Sequence, residues 1–300
     1  MKDIMGLKDI AFPNLGIYLE DLPQGFYVGE FFIYFYGCLI ALGVLAGVYM
    51  AAHIGKKTGQ NPDLYWDFFP YALIFSVLGA RIYYVVFQWK EFEGDILSIF
   101  NMRRGGIAIY GAVIGAFITL AIFCKVKKQN ALLMGDTAVP GLILGQVIGR
   151  WGNFFNREVF GGYTASLFAM RIPVSAVRDP GDITAEISAH IAEGTNYIQV
   201  HPTFLYESAL NLVVFIIMLL YTRHKKFDGE ICLLYLGGYG IIRFFIEGMR
   251  TDQLMISGTN IPVSQLVGIV CFVGAVVADV VIRIVLKKKK VGDFPKIKEN

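Results

Sequence analysis

Seven apolar runs divide this chain of 300 residues, each close to the ~20 residues that carry a helix across a bilayer. They fall at about 31–52, 67–88, 106–124, 132–150, 203–222, 231–247 and 262–286. In hydrocarbon a backbone must satisfy its N–H and C=O groups internally, which for runs of this length means helix. The expected fold class is therefore an all-α polytopic membrane protein with seven transmembrane helices. Only 17% of the residues are charged, against about a quarter in soluble domains. A net charge of +3 gives no reason to expect a nucleic-acid partner. The four cysteines, Cys38, Cys124, Cys232 and Cys271, lie singly in apolar segments without metal-ligand spacing, and read as small buried hydrophobes. The first 25 residues lack a basic region followed by an apolar one, so they do not read as a cleaved signal peptide.

The links are short except 151–202, a polar insert long enough for a small soluble subdomain of sheet or mixed structure. Basic residues follow alternate spans: Lys56 and Lys57; Lys125, Lys127 and Lys128; Arg223, Lys225 and Lys226; Lys287 to Lys290. The opposite loops hold fewer, namely Lys90, Arg103, Arg104 and Arg250. The Lys/Arg bias puts the N-terminus and the insert outside, and the C-terminus with its basic tail, 287–300, in the cytoplasm. Glycines at four-residue spacing (Gly43 and Gly47; Gly111 and Gly115; Gly141, Gly145 and Gly149) mark faces for close helix packing.

With that orientation the intramembrane polar residues share one depth. Tyr36, Arg81, Tyr110, Arg150, His201 with Glu207, and Tyr239, Arg243 and Glu247 all fall in the outer half. Asp136, near the inner end of span four, is the exception. Charge inside a membrane is costly and ordinarily faces a cavity or a partner. Tyr239, Arg243, Glu247 and Arg250 share one helix face. An Arg–Glu pair neutralises two of the four and leaves a second arginine. Guanidinium forks suit phosphate oxygens, and the nearest phosphate in a membrane is a phospholipid headgroup. In "GRWGNFFNREVFGG", Gly149 to Gly162, the glycines admit close backbone approach, Asn153 and Asn156 add neutral donors and acceptors, and Glu158 can orient an arginine or accept a proton.

That stretch closely resembles the signature of bacterial prolipoprotein diacylglyceryl transferases, G-R-x-G-N-F-x-N-x-E-x-x-G. Gly149, Arg150, Gly152, Asn153, Phe154, Asn156, Glu158 and Gly161 occupy its fixed positions. Tyr36-Gly37, "GARIYYV" from Gly79, "RGGIAIYGAVIG" from Arg104, "HPTFLYE" from His201 and "YGIIRFFIEGMR" from Tyr239 agree in order. The resemblance implies a multi-pass enzyme of the bacterial cell membrane. It would move a diacylglyceryl group from phosphatidylglycerol to the lipobox cysteine of a prolipoprotein, releasing glycerol phosphate; the intramembrane charges are mainly arginines with no Asp-rich motif, so no metal or cofactor is expected. It implies Arg150, Arg243, Tyr110 and Glu247 as catalytic. Tyr36, Arg81, Asn153, Asn156, Glu158, Gly161, His201, Glu207, Tyr239 and Arg250 are then expected to bind substrate. Within that set, Arg150 is the expected phosphate contact, with Arg243 close to the thiol–phosphate chemistry. One departure stands out: Tyr110 occupies a position where many members carry histidine. With an ordinary pKa near 10, a tyrosine is a poor base at neutral pH. His201 is an alternative base, though its context also reads as a cap before span five. Another phospholipid-headgroup transferase, or a carrier of anionic solutes, remain the other readings of the same residues.

Overall fold

The computed structural model describes residues 4–101 and 105–288. Arg103, Arg104 and the basic tail beyond Lys288 lie outside the described residues. Seven helices are long and apolar enough to cross a membrane: α1 (Phe35–Lys57), α2 (Asp63–Phe87), α3 (Ile109–Lys127), α4 (Ala131–Asn156), α6 (Thr203–Tyr221), α7 (Glu230–Met249) and α8 (Val263–Lys288). The short α5 (Ala185–Ala189) lies in the long link. Each expected span overlaps one of these helices, with ends displaced by up to six residues. Residues 31–34 are strand rather than helix, because β4 (Phe31–Tyr34) pairs antiparallel with β3 (Gly25–Val28). Gly29, at φ +61°, makes the turn between them. At the other end, α4 continues six residues past 150, through the signature.

The chain forms two compact units. The first contains the chain through Gly47, Pro140–Lys226 and the chain from Glu230; the second contains Val48–Val139 and Phe227–Gly229. In the first unit a four-stranded antiparallel sheet runs in the order β2-β1-β5-β6. Its strands are β1 (Ile10–Phe12), β2 (Ile17–Leu19), β5 (Met170–Pro173) and β6 (Tyr197–Val200). The insert is thus mixed, and half of its sheet comes from the N-terminal segment. Ile10, Phe12, Met170, Ile172, Ile187, Ile198 and Val200 form one buried core with Phe154 of α4 and Phe204 of α6. That core rivets the subdomain to the ends of the two helices that carry the signature and Glu207.

The glycine faces do what their spacing predicts. A Cβ at Gly47 would stand 2.7 Å from the Gly141 carbonyl, and one at Gly43 would stand 3.0 Å from that of Gly145, so α1 and α4 meet backbone to backbone. In the second unit, a Cβ at Gly79 would lie 2.5 Å from the Gly111 carbonyl, locking α2 to α3. Asp136 is accounted for locally: its carboxylate accepts the Gly229 N–H at 2.8 Å, at a turn where Gly229 has φ +98°. Of the cysteines only Cys124 is buried; Cys232 and Cys271 are partly buried and Cys38 is exposed on α1. A flank of a lipid-facing helix needs no core to hold a small apolar residue.

Candidate active site

The polar residues of α4, α6 and α7 converge on one carboxylate. Glu207 lies on the buried face of α6 and is 1% exposed. One of its oxygens accepts from the Arg150 guanidinium at 2.7 Å, and the other from Arg243 at 3.3 Å. Arg243 also donates to Glu247, one turn along α7, at 2.5 Å. Arg250 stands 3.6 Å from the same Glu247 oxygen and forks onto Asp252 at 2.8 and 2.5 Å. The second arginine, expected to be unpaired, therefore has a partner: three guanidiniums meet three carboxylates. The reason is the desolvation cost of a lone charge at this depth. Pairing fixes the orientation of each fork and uses only part of its five donors. Arg150 keeps 20% of its side chain exposed, against 12% and 13% for Arg243 and Arg250. Tyr239 lies in the field of Arg150, Arg243 and Glu207 and stacks on Tyr235, with centroids 5.7 Å apart.

A second constellation is built on Glu158. One of its oxygens accepts from Asn153 at 2.9 Å and from Asn156 at 3.2 Å; the other pairs with Arg178 at 2.5 Å. Asn153 also accepts from Arg150 at 3.3 Å, which joins the two groups. The turn after α4 is strained. Arg157 and Val159, on either side of Glu158, have φ of +55° and +57°, unusual for any residue with a Cβ and most of all for valine. Arg157 offsets this by donating to the carbonyls of Phe155, Lys8 and Leu22 at 2.7–2.8 Å. Gly161 then bridges Arg250, and its N–H donates to the His201 carbonyl at 2.9 Å. A Cβ there would meet the Met249 carbonyl at 2.8 Å, so only glycine lets the signature clasp the end of α7. Gly152 plays the same part toward Tyr36, whose ring would lie 2.7 Å from a Cβ.

His201 does not cap α6: the capping position is Pro202, without a side-chain bond. Its backbone instead pairs with Gly161 and Gly162, and its ring sits 3.3 Å from the Tyr206 hydroxyl. Burial lowers its pKa below the ordinary 6.5, so it is neutral at pH 7 and free to accept a proton. Arg81 and Tyr110 belong to the second unit. Arg81 is buried and donates to the carbonyls of Ile99, Ser98 and Gly106 at 2.7–2.8 Å and of Gly105 at 3.2 Å, so it organises a loop. Tyr110 opens α3, its ring 6.3 Å from that of Tyr83. Sequence reasoning missed Arg178, Asp252 and Arg157, which lie in polar segments where a charge carries no contrast. Among the described residues no three His, Cys, Asp or Glu side chains gather to hold a metal ion.

The family profile described as prolipoprotein diacylglyceryl transferase matches residues 23–281, which include every element of both constellations. The chain belongs to that family. A phosphatidylglycerol–prolipoprotein diacylglyceryl transferase of Limosilactobacillus reuteri is 42% identical over 272 residues, 88% of this chain and 92% of that protein. In Clostridium perfringens the corresponding transferase 1 is 39% identical over 274 residues, 91% of this chain and 98% of its own length. A Staphylococcus aureus member is 42% identical over 247 residues, 82% of this chain and 84% of its own. As a member of the prolipoprotein diacylglyceryl transferase family, with seven apolar helices, the chain is a multi-pass membrane protein.

Proposed function

We infer that this chain transfers the diacylglyceryl group of phosphatidylglycerol to the lipobox cysteine of a prolipoprotein, the first step of lipoprotein maturation. The cysteine sulfur attacks the glyceryl carbon that bears the phosphate ester. A C–S thioether forms, and the C–O electron pair leaves with the phosphate as glycerol phosphate. The thiol proton passes to a base or to the departing phosphate. Negative charge on the phosphate grows as the bond breaks, so fixed cations beside it stabilise the transition state more than the substrate.

The observation that carries this reading is the Glu207 bridge, which joins Arg150 of the signature to Arg243 of α7 in one network. Arg150, the more exposed of the two, is assigned to the phosphate, and Arg243 to the thiol–phosphate chemistry. Glu247 holds Arg243. Asn153, Asn156, Glu158 and Gly161 shape the wall next to Arg150, with Tyr36, Tyr239 and Arg250 around them. Tyr110, a poor base at neutral pH, is assigned as a substrate-orienting hydroxyl. His201 is assigned to substrate binding and, neutral at pH 7, is the alternative base, while Arg81 organises the loop that holds Ser98, Ile99 and Gly106. The helix-end lysines support an N-terminus and insert, 151–202, outside the bacterial cell membrane, a cytoplasmic C-terminus, and a site at outer-leaflet depth.

Mass spectrometry tests the reaction. Purified protein is incubated with phosphatidylglycerol and a lipobox peptide. A diacylglyceryl mass gain on the peptide's cysteine is expected. No gain, under conditions where an established transferase works, would refute the assignment.

A further inference from the structure

One helical turn below the arginines, on the same three helices, lies a second polar layer that the transfer reaction as described does not use. Gln146 precedes Arg150 by four residues on α4, Asn211 follows Glu207 by four on α6, and Tyr235 precedes Tyr239 by four on α7. All belong to the first unit. The Ser208 hydroxyl donates to the Val147 carbonyl at 2.9 Å, which fixes α6 against α4 at this level. Gln146 donates to the Tyr235 hydroxyl at 2.9 Å, which ties α4 to α7. Ser208 and Tyr235 thus have partners. Gln146 Oε1 and both polar atoms of Asn211 have none, and Asn211 is 0% exposed. Among the described residues four buried side-chain atoms have no hydrogen-bond partner; three of them gather in this layer, the fourth being Arg157 Nε, and such a cluster calls for a ligand or a reason.

The atoms specify the ligand's chemistry. Two are acceptors and one is a donor. Only a group that both donates and accepts meets all three, and a hydroxyl does so whichever way the two amides are turned. A carbonyl offers no donor, and an ammonium no acceptor. In phosphatidylglycerol the headgroup carries two hydroxyls on the carbons beyond the phosphate ester, a reach of about one helical turn, ~5 Å. Resting on the function proposed above, we propose that Gln146 and Asn211 bind the headgroup diol of phosphatidylglycerol while the arginines above them hold its phosphate. This layer selects the donor lipid by its headgroup. Tyr235 is a positioning residue that aims the Gln146 amide. A buried water is the other source of the same chemistry, and the experiment separates the two.

The test compares two donors in detergent with the full chain: phosphatidylglycerol, and phosphatidylpropanol, which has the same three headgroup carbons without hydroxyls. The readout is the ratio of their kcat/KM values for transfer to a lipobox peptide. A site built around a hydroxyl discriminates strongly against the analogue that lacks it. The wild type is expected to favour phosphatidylglycerol by about 10-fold or more, and Asn211→Leu to reduce that ratio about 10-fold. Gln146→Met, a near-isosteric change, gives the same readout if Asn211→Leu does not fold. An unchanged ratio in the folded variants, with both donors slowed alike, means a water is held there and overturns the proposal. So does a wild type that does not distinguish the donors. A wild type that transfers from neither donor would instead overturn the function on which this inference rests.

Discussion

At the scale of the residue, Glu207 is the position on which the site depends, because its carboxylate pairs with both Arg150 and Arg243. Removing one partner of a buried ion pair leaves the other charge uncompensated and costs about 3–5 kcal/mol. Glu207→Gln is therefore expected to lower the thermal midpoint in detergent and the transfer rate together. Retention of both would show that the bridge is dispensable. The outer carboxylates offer a test by pH. The pKa of Asp182 is raised from its ordinary value by burial, then by the charges of Asp252 and Asp179. Its folded pKa lies above its unfolded one, so ionising it costs stability as pH rises through the folded value. Asp252 behaves oppositely: burial works against its charge, but the Arg250 fork prevails and lowers its pKa. Its contribution is complete above the unfolded pKa near 3.9 and is lost as pH falls through the folded one. Asp182→Asn should accordingly raise the thermal midpoint at pH 7 and lose that advantage below about pH 4. Asp252→Asn should lower the midpoint at pH 7. Reversed signs in a pH series of melting curves would contradict this geometry. Arg150, Glu207, Arg243 and Glu247 were legible in the sequence because each is a charge in an apolar run. Asp252 and Arg178 were not, since polar loops hide a functional charge among solvated ones. Arg81 was legible as buried, but only coordinates reveal that backbone carbonyls take its donors.

At the scale of the element, the helices follow from hydropathy and their contacts from glycine spacing. Gly47 faces the Gly141 carbonyl, whereas a Cβ at Gly274 on α8 would meet nothing within 4 Å. Gly47→Leu is expected to cost about 1–3 kcal/mol or more through overpacking, and Gly274→Leu little. Equal melting temperatures for the two variants would show that α1 and α4 do not meet as described. The sheet was less legible. β1 and β2 are three residues each, too short for period-two alternation to register. Moreover β1 pairs with β5 across about 160 residues of chain, through Ala11 and Arg171. The aromatic run before α1 failed for a related reason. Phe31–Tyr34 is as apolar as the helix it precedes, and only its pairing with 25–28 makes it strand.

At the scale of the whole molecule, the proposed orientation makes the insert and the basic helix ends opposite in accessibility. In a chain otherwise free of cysteine, a cysteine at Ser188 should react with a membrane-impermeant thiol reagent applied to intact cells. One at Lys226 should react only after the membrane is opened. The reverse pattern would invert the molecule and place the arginines at inner-leaflet depth. The central claim, that Arg150 and Arg243 act as one unit on a departing phosphate, is tested most directly by a double-mutant cycle. Transfer of the diacylglyceryl group to a lipobox peptide is measured for Arg150→Ala, Arg243→Ala and the double variant, each with its melting curve. Each single change is expected to reduce kcat/KM by about 10²–10³-fold, and the double variant by little more than the worse single one. Fully additive losses would show two arginines working independently, and activity surviving either substitution would remove that residue from the chemistry.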